Sequence, residues 1–416
     1  MLYEAKRHEP LTGTPWDEQA AQHCMAAILQ DGLDRFSAED FWPPHPLDGL
    51  PAEQRHDLYL GSAGTIWALN ILAGDPAFAS PTSAGQRERL AEINRAWLAH
   101  RDNDNDIDSE PGLLTAGTGT LLVRAMLGGL ESISEELAAH IDANGDSPVR
   151  EFMWGSPGTM TAAIWLYEQT GAAIWAERFR RDAARLWDRL EFVEMAGCHL
   201  WVQHLYGHVA PFIGAVHGFA GNAFALLRGW DLLAAAEQTR WTKRLAQSLR
   251  ATATGEEDGA NWPQSVGCHR PARRSPLLQH CHGAPGIVTC FAGFPDAGIS
   301  DAGIDDLLLT AGELTWRAGP LAKGAGLCHG TAGNGYAFLK LFRRSGDARW
   351  LNRARRFAMH AIGQQQRDTA RYGQYRYALW TGDPGLAIYL ANCIAGTDRF
   401  PTMDFFFSAQ PGAKVI

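Results

Sequence analysis

The chain reads as an all-α protein, an α/α toroid of seven inner and seven outer helices. Three observations predict this: a glycine turn that recurs along the sequence, a mostly apolar segment after each turn, and an amphipathic helix between turns. Aligned on the second glycine, the turns are GSAG at 61–64, AGTG at 116–119, GSPG at 155–158, GFAG at 218–221, GAPG at 283–286, GTAG at 330–333 and GDPG at 382–385. A recurrence of this length marks an architecture built from one supersecondary unit. In the second copy alanine replaces the first glycine, so it is the weakest of the seven.

Taken in order, the segments TIWALNIL, TMTAAIWLY, NAFALLRGW, IVTCFAGF, GYAFLKLF and LAIYLANC that follow the turns are too apolar all round to face water. They predict buried inner helices. The intervening stretches GQRERLAEINRAWLAH (85–100), WAERFRRDAARLWDRL (175–190) and ARWLNRARRFAMHAI (348–362) repeat apolar residues at three- and four-residue spacing between charges. That spacing predicts outer helices lying on a core. No stretch predicts a convincing strand. A linear solenoid shares the alternation but has more uniform repeats and polar capping units, so the uneven intervals favour a closed ring, with the glycine turns at one end. The repeats span nearly all of residues 1–416, which reads as one domain.

Composition narrows the functional classes. The formal charge of −9 leaves no basic footprint for nucleic acid. No apolar run is long enough to span a membrane, and MLYEAKRHEP lacks the apolar core of a signal peptide. Seven cysteines, an odd number in a large chain, point to a reducing compartment, and the expected location is the cytoplasm.

Two turns carry chemistry. CHGAPG at 281–286 and CHGTAGN at 328–334 each set a thiol beside an imidazole just before the helix opens. Thiolate and imidazole suit a borderline-soft cation such as zinc, and two such turns face to face would hold one ion. Cys24, Cys198, Cys290 and Cys393 lack that context and read as small buried hydrophobes. Cys268-His269 is a third thiol–imidazole pair without a following glycine turn, and it is left outside the site.

These turns, in this order with HGFAGN at 217–222 one repeat earlier, GSAGT near the start and YALWTGDPG near the end, resemble the lanthionine synthetase C-like family. The resemblance covers about the whole chain, from AKRHEPL to the closing RFP. It implies an α/α toroid holding one Zn2+ through Cys281, Cys328 and His329. It also implies addition of a thiol to dehydroalanine or dehydrobutyrine to form a thioether. The thiol is a peptide cysteine in the cyclases and glutathione in another branch. The implied partners are a dehydrated peptide or protein, glutathione and, for a cyclase, a dehydratase. Three protein ligands leave the fourth position that catalytic zinc requires.

On the same resemblance His217 is the first choice as general acid/base and His282 the second, since imidazole titrates near working pH. Glu151 stands where the cyclases carry aspartate, as in the glutathione-associated branch, and His280 where the family usually carries tryptophan. Lys323, Arg371 and Arg7 resemble the basic residues that anchor glutathione carboxylates, and the arginine-rich HRPARRSP (269–276) is a second basic stretch.

Two rival classes are weighed. One is an α/α-toroid glycosidase using Glu151 and Asp383 as its paired carboxylates. The other is a non-catalytic zinc scaffold that binds peptides. Zinc-dependent thiol consumption distinguishes the thiol-adding enzyme from both.

Overall fold

The computed structural model describes residues 2–48, 56–75, 82–101, 110–256, 259–267, 275–295 and 303–408. Fourteen α-helices lie among them. Seven form the inner ring: α2 (Ser62–Gly74), α4 (Gly117–Gly128), α6 (Ser156–Thr170), α8 (Phe219–Arg228), α10 (Ala284–Phe291), α12 (Thr331–Ser345) and α14 (Asp383–Ala395). The other seven wrap them: α1 (Glu18–Asp34), α3 (Ala84–Arg101), α5 (Ser134–Gly145), α7 (Ala173–Asp188), α9 (Ala235–Thr252), α11 (Ile304–Ala318) and α13 (Ala348–Tyr372). Each inner helix packs on the next in chain order, and α14 packs back on α2 as well as α1. The ring is therefore closed, as the uneven repeats predict.

The two helix types bury their residues differently, and sequence explains why. In α6 every residue from Ser156 to Leu166 is buried, so no charge can be placed there. In α13 the buried residues include Trp350, Ala354, Phe357, Ala358, Ala361 and Ile362, one stripe of a helix whose other face is charged. Each fully buried large apolar side chain contributes roughly 1.5–3 kcal/mol, and one continuous cluster joins residues from Ala21 to Phe406.

The glycine turns solve a hydrogen-bonding problem. The inner helices open without a side-chain cap, so their first N–H groups need other acceptors. The loop just upstream supplies them: Ala63 N–H donates to His56 O, Phe219 to Phe212 O, Thr331 to Gly324 O and Asp383 to Arg376 O. The loop must lie against the helix start for this. A Cβ on the second glycine of any turn would meet the carbonyl oxygen six residues back at 1.7–2.3 Å, closer than any real contact.

The structure adds strands that periodicity does not predict. Among the described residues three short antiparallel hairpins lie between α7 and α10: β1 (Glu191–Val193) with β2 (Cys198–Leu200), β3 (Val202–Leu205) with β4 (His208–Pro211), and β5 (Thr254–Glu256) with β6 (Gly259–Asn261). With three or four residues each, they are too short to show an alternating pattern. The β3–β4 loop is the two-residue Tyr206-Gly207, both left-handed at φ 53° and 75°, the geometry that matches strand twist. No helix among the described residues is long and apolar enough to cross a membrane.

Candidate functional site

The upstream loops form a rosette at one end of the ring. Counting five residues back from each second glycine gives Tyr59, Leu114, Met153, Val216, Cys281, Cys328 and Trp380. Backbone bonds link neighbours in this set: Cys281 N–H donates to Cys328 O, Cys328 to Trp380 O, Trp380 to Tyr59 O, Tyr59 to Leu114 O, and Leu114 to Met153 O. One residue further on come Leu60, Thr115, Trp154, His217, His282, His329 and Thr381. The repeat thus delivers chemically distinct side chains to equivalent places around one axis.

Cys281, Cys328 and His329 meet there, with their ligand atoms all within 4.8 Å of one another. A tetrahedral zinc about 2.3 Å from each sulfur needs donors roughly 3.8 Å apart, so two thiolates and one imidazole so placed fit the ion. The Cys328 S–H donates to the Cys281 sulfur, which holds Cys281 well below the ordinary thiol range against its burial, while that bond and burial drive Cys328 up. Gln279 Nε2 donates to Cys281 Sγ at 2.9 Å, and Arg7 donates to Gln279 Oε1 at 3.1 Å. Arg7 is held there because its segment pairs with the loop before Cys328: Glu9 N–H donates to Pro320 O, and Ala322 N–H to Arg7 O. By contrast, burial pushes the Cys24 thiol, with the Asp383 charge adding to it, and the Cys393 thiol up to about 12, as befits inert packing residues.

Beside the sulfurs lies a carboxylate–imidazole pair. His217 Nδ1–H donates to Glu151 Oε2 at 2.7 Å, and the Glu151 carboxylate also accepts from Met153 N–H at 3.1 Å and Trp154 N–H at 2.5 Å. The Trp154 ring stacks on His217 with centroids 5.2 Å apart. The second ring nitrogen, Nε2, meets Tyr206 Oη at 2.9 Å. His282 lies next to this pair, its ring 6.1 Å from that of His217, and within electrostatic reach of Cys281. Among the described residues it falls outside the group whose donor atoms converge.

A cavity opens between the Cys328 turn and the start of α14. Lys323, Asp368, Arg376, Thr381 and Asp383 line it, and the Lys323 ammonium lies within electrostatic reach of both sulfurs and of Arg7. Partial burial lowers the Lys323 pKa from its ordinary value. Arg371 does not line the cavity. It is exposed near the end of α13, its guanidinium 5.2 Å from the centre of the Tyr372 ring. The arginine that does line it is Arg376, whose Nε donates to Asp48 Oδ1 at 2.8 Å. Cys268, His269 and most of HRPARRSP lie outside the described residues.

Sequence reading also missed Tyr59, Tyr206, Trp154 and Gln279. Tyr59 is half-buried, and its hydroxyl donates to Cys328. Counting back from the glycines would have found Tyr59, Trp154 and Gln279; Tyr206 comes from a hairpin that carries no repeat signal. His280 is fully buried, stacks on Phe400 at 4.4 Å and has no partner for either ring nitrogen among the described residues. Burial lowers its pKa to about 4, so it stays neutral.

The two carboxylates of the glycosidase alternative are separately engaged. Glu151 belongs to His217, while Asp383 Oδ2 accepts from Arg376 N–H at 2.8 Å, and two inner helices intervene between α6 and α14. Burial pushes the Asp383 carboxyl up to about 7, with the Arg376 amide and guanidinium opposing. The native state then holds more protons than the unfolded chain between roughly pH 4 and pH 7, so stability falls as pH rises through that window. Asp383→Asn should therefore stabilise the protein by about 2–4 kcal/mol at pH 8 and change little at pH 4. Urea unfolding at both values checks this, and equal effects would contradict it.

The lanthionine synthetase C-like protein family model matches residues 124–405. The chain belongs to this family. A LanC-like protein GCL1 of Arabidopsis thaliana is 26% identical over 64% of this chain and 60% of its own length. Glutathione S-transferase LANCL1 of Danio rerio is 30% identical over 46% of each. The match thus spans about half to three fifths of these relatives. The solved structure of nisin cyclase, 13% identical, superposes with a TM-score of 0.59 over 92% of this chain and 99% of its own, which shows a shared toroid fold.

Proposed function

We propose that the protein catalyses zinc-dependent addition of a thiol to a dehydroalanine or dehydrobutyrine residue, forming a thioether. The convergence of Cys281, Cys328 and His329 within one ligand distance, beside the Glu151–His217 pair, carries the reading. Zinc held by these three residues would supply a low-pKa site for the incoming thiol at its fourth position. Gln279 and Arg7 steady the Cys281 sulfur. Glu151 fixes the His217 tautomer, leaving Nε2 toward the mouth for proton transfer. His282, its ring 6.1 Å from that of His217, stands as the second acid/base group near where an enolate would form. Thioether formation from a dehydroalanine peptide, lost on zinc removal and restored on its return, tests the reading. Turnover indifferent to zinc would defeat it.

Within this reading the thiol is glutathione, and its carboxylates bind at Lys323, Arg376 and Arg7. The cavity lined by Lys323 and Arg376, with Lys323 in electrostatic reach of both sulfurs, supports this, because a peptide's own cysteine would need no cationic anchor. Arg371, exposed near the end of α13 and within electrostatic reach of Asp368 in the cavity, is a further cation at its edge. Calorimetric titration should show Lys323→Ala weakening glutathione binding by about tenfold, the worth of one charge-assisted hydrogen bond. Equal affinity in wild type and variant would return the thiol to a peptide cysteine. The matching electrophile is a dehydrated peptide or protein made by a separate dehydratase in the cytoplasm.

A further inference from the structure

The β3–β4 hairpin places a phenol in front of the general acid/base, and nothing in the repeat requires it. Tyr206 sits at the first turn position with φ 53°, a left-handed conformation that a bulky side chain adopts at a cost of roughly 1–2 kcal/mol and that asparagine or glycine would fill more easily. Such strain persists where surroundings impose it. Here Leu205, Ala210 and Phe212 pack with Val149 and Trp154 under the hairpin, and Tyr206 meets Trp154 edge to face. The result is one bond: Oη lies 2.9 Å from His217 Nε2. His217 is 7% exposed and Tyr206 is 57% exposed, so a molecule entering the mouth meets the phenol first. Because Nδ1–H is committed to Glu151, Nε2 of the neutral ring accepts from the Tyr206 hydroxyl.

We propose that Tyr206 is the proton donor to the substrate α-carbon, reloaded by His217. The inference rests on the thiol-addition reading above. The steps balance without a further reactant. The S–H proton passes through the Tyr206 hydroxyl to His217 Nε2, leaving an imidazolium paired with Glu151. A sulfur lone pair forms the C–S bond at Cβ, and the C=C electron pair moves onto Cα and its carbonyl. Tyr206 gives its O–H proton to Cα, and the imidazolium returns the stored proton to the phenolate oxygen. Net, H and S add across the double bond. One fixed donor delivers the proton to one face of Cα, so the new centre has a single configuration.

The test uses wild type, Tyr206→Phe and Tyr206→Asn with a dehydroalanine peptide and glutathione. Tyr206→Phe keeps the ring, and Tyr206→Asn suits the turn better, so neither is expected to lower the unfolding temperature. Both should lose about 100-fold in kcat with KM within about twofold, and the residual product should be a mixture of configurations at Cα. A loss of rate with configuration retained, or a rate equal to wild type, overturns the assignment. A faster Tyr206→Phe makes the phenol a stopper and overturns it too. A wild type that forms no thioether overturns the parent reading along with this one, whereas an active wild type with indifferent variants overturns the proton donor alone.

Discussion

Cys328→Ala is expected to empty the protein of zinc, whereas His217→Ala keeps about one zinc ion per chain and loses turnover by about 100-fold or more. The two residues lie at the same end of the toroid, so the contrast separates their roles. Cys328 contributes one of three convergent donor atoms, and even an outer partner of a metal ligand is worth about 10- to 100-fold in affinity. Losing a ligand outright should exceed that. His217 contributes no donor to the group and is engaged with Glu151 and Tyr206. Elemental analysis after dialysis, together with thiol consumption, reads both quantities. If His217→Ala lost metal as readily as Cys328→Ala, the division between ligand and proton carrier would fail.

The toroid was legible because its constraint is local and repeated. A helix that opens under a loop of its own chain, with no room for a Cβ, writes glycine at one fixed place in every turn. The cysteine–histidine pairs were legible for the same reason, since they sit in those turns. The hairpins were not, because a three-residue strand is held by its partner and not by its own pattern. Tyr206 was hidden with them: its role comes from a turn conformation and a bond to a residue eleven positions on. Arg371 shows the limit of spacing in another way. Counting back along the chain from the last turn ignores that α13 runs to Tyr372 and carries position 371 on an exposed surface. The cavity takes its arginine from the loop that follows, at position 376. Sequence spacing is a good guide within a turn and a poor one across a helix end.

The same chemical change, glycine to alanine, should act with opposite sign at two positions. In Gly385→Ala the new methyl would lie 2.1 Å from Leu379 O and 2.8 Å from the Leu327 side chain. Both obstacles are buried, and the first is backbone of the loop that lies against the start of α14. Relief requires moving the loop away from the helix start, which breaks the Asp383-to-Arg376 bond and disturbs Trp380, whose N–H closes the rosette onto Tyr59 O. Overpacking a core costs about 1–3 kcal/mol when side chains can yield, so a backbone collision should cost at least about 3 kcal/mol. Gly363 lies mid-helix in α13, and a Cβ there would meet only the end of Arg367 at 3.6 Å. Gly363→Ala removes the entropic penalty of glycine in a helix and should stabilise by about 0.5–1 kcal/mol. Chemical denaturation of the two variants gives both signs in one experiment. Equal and small effects would mean that the turn glycines are kept for something other than close approach of the loop, and the structural basis of the repeat would have to be sought elsewhere.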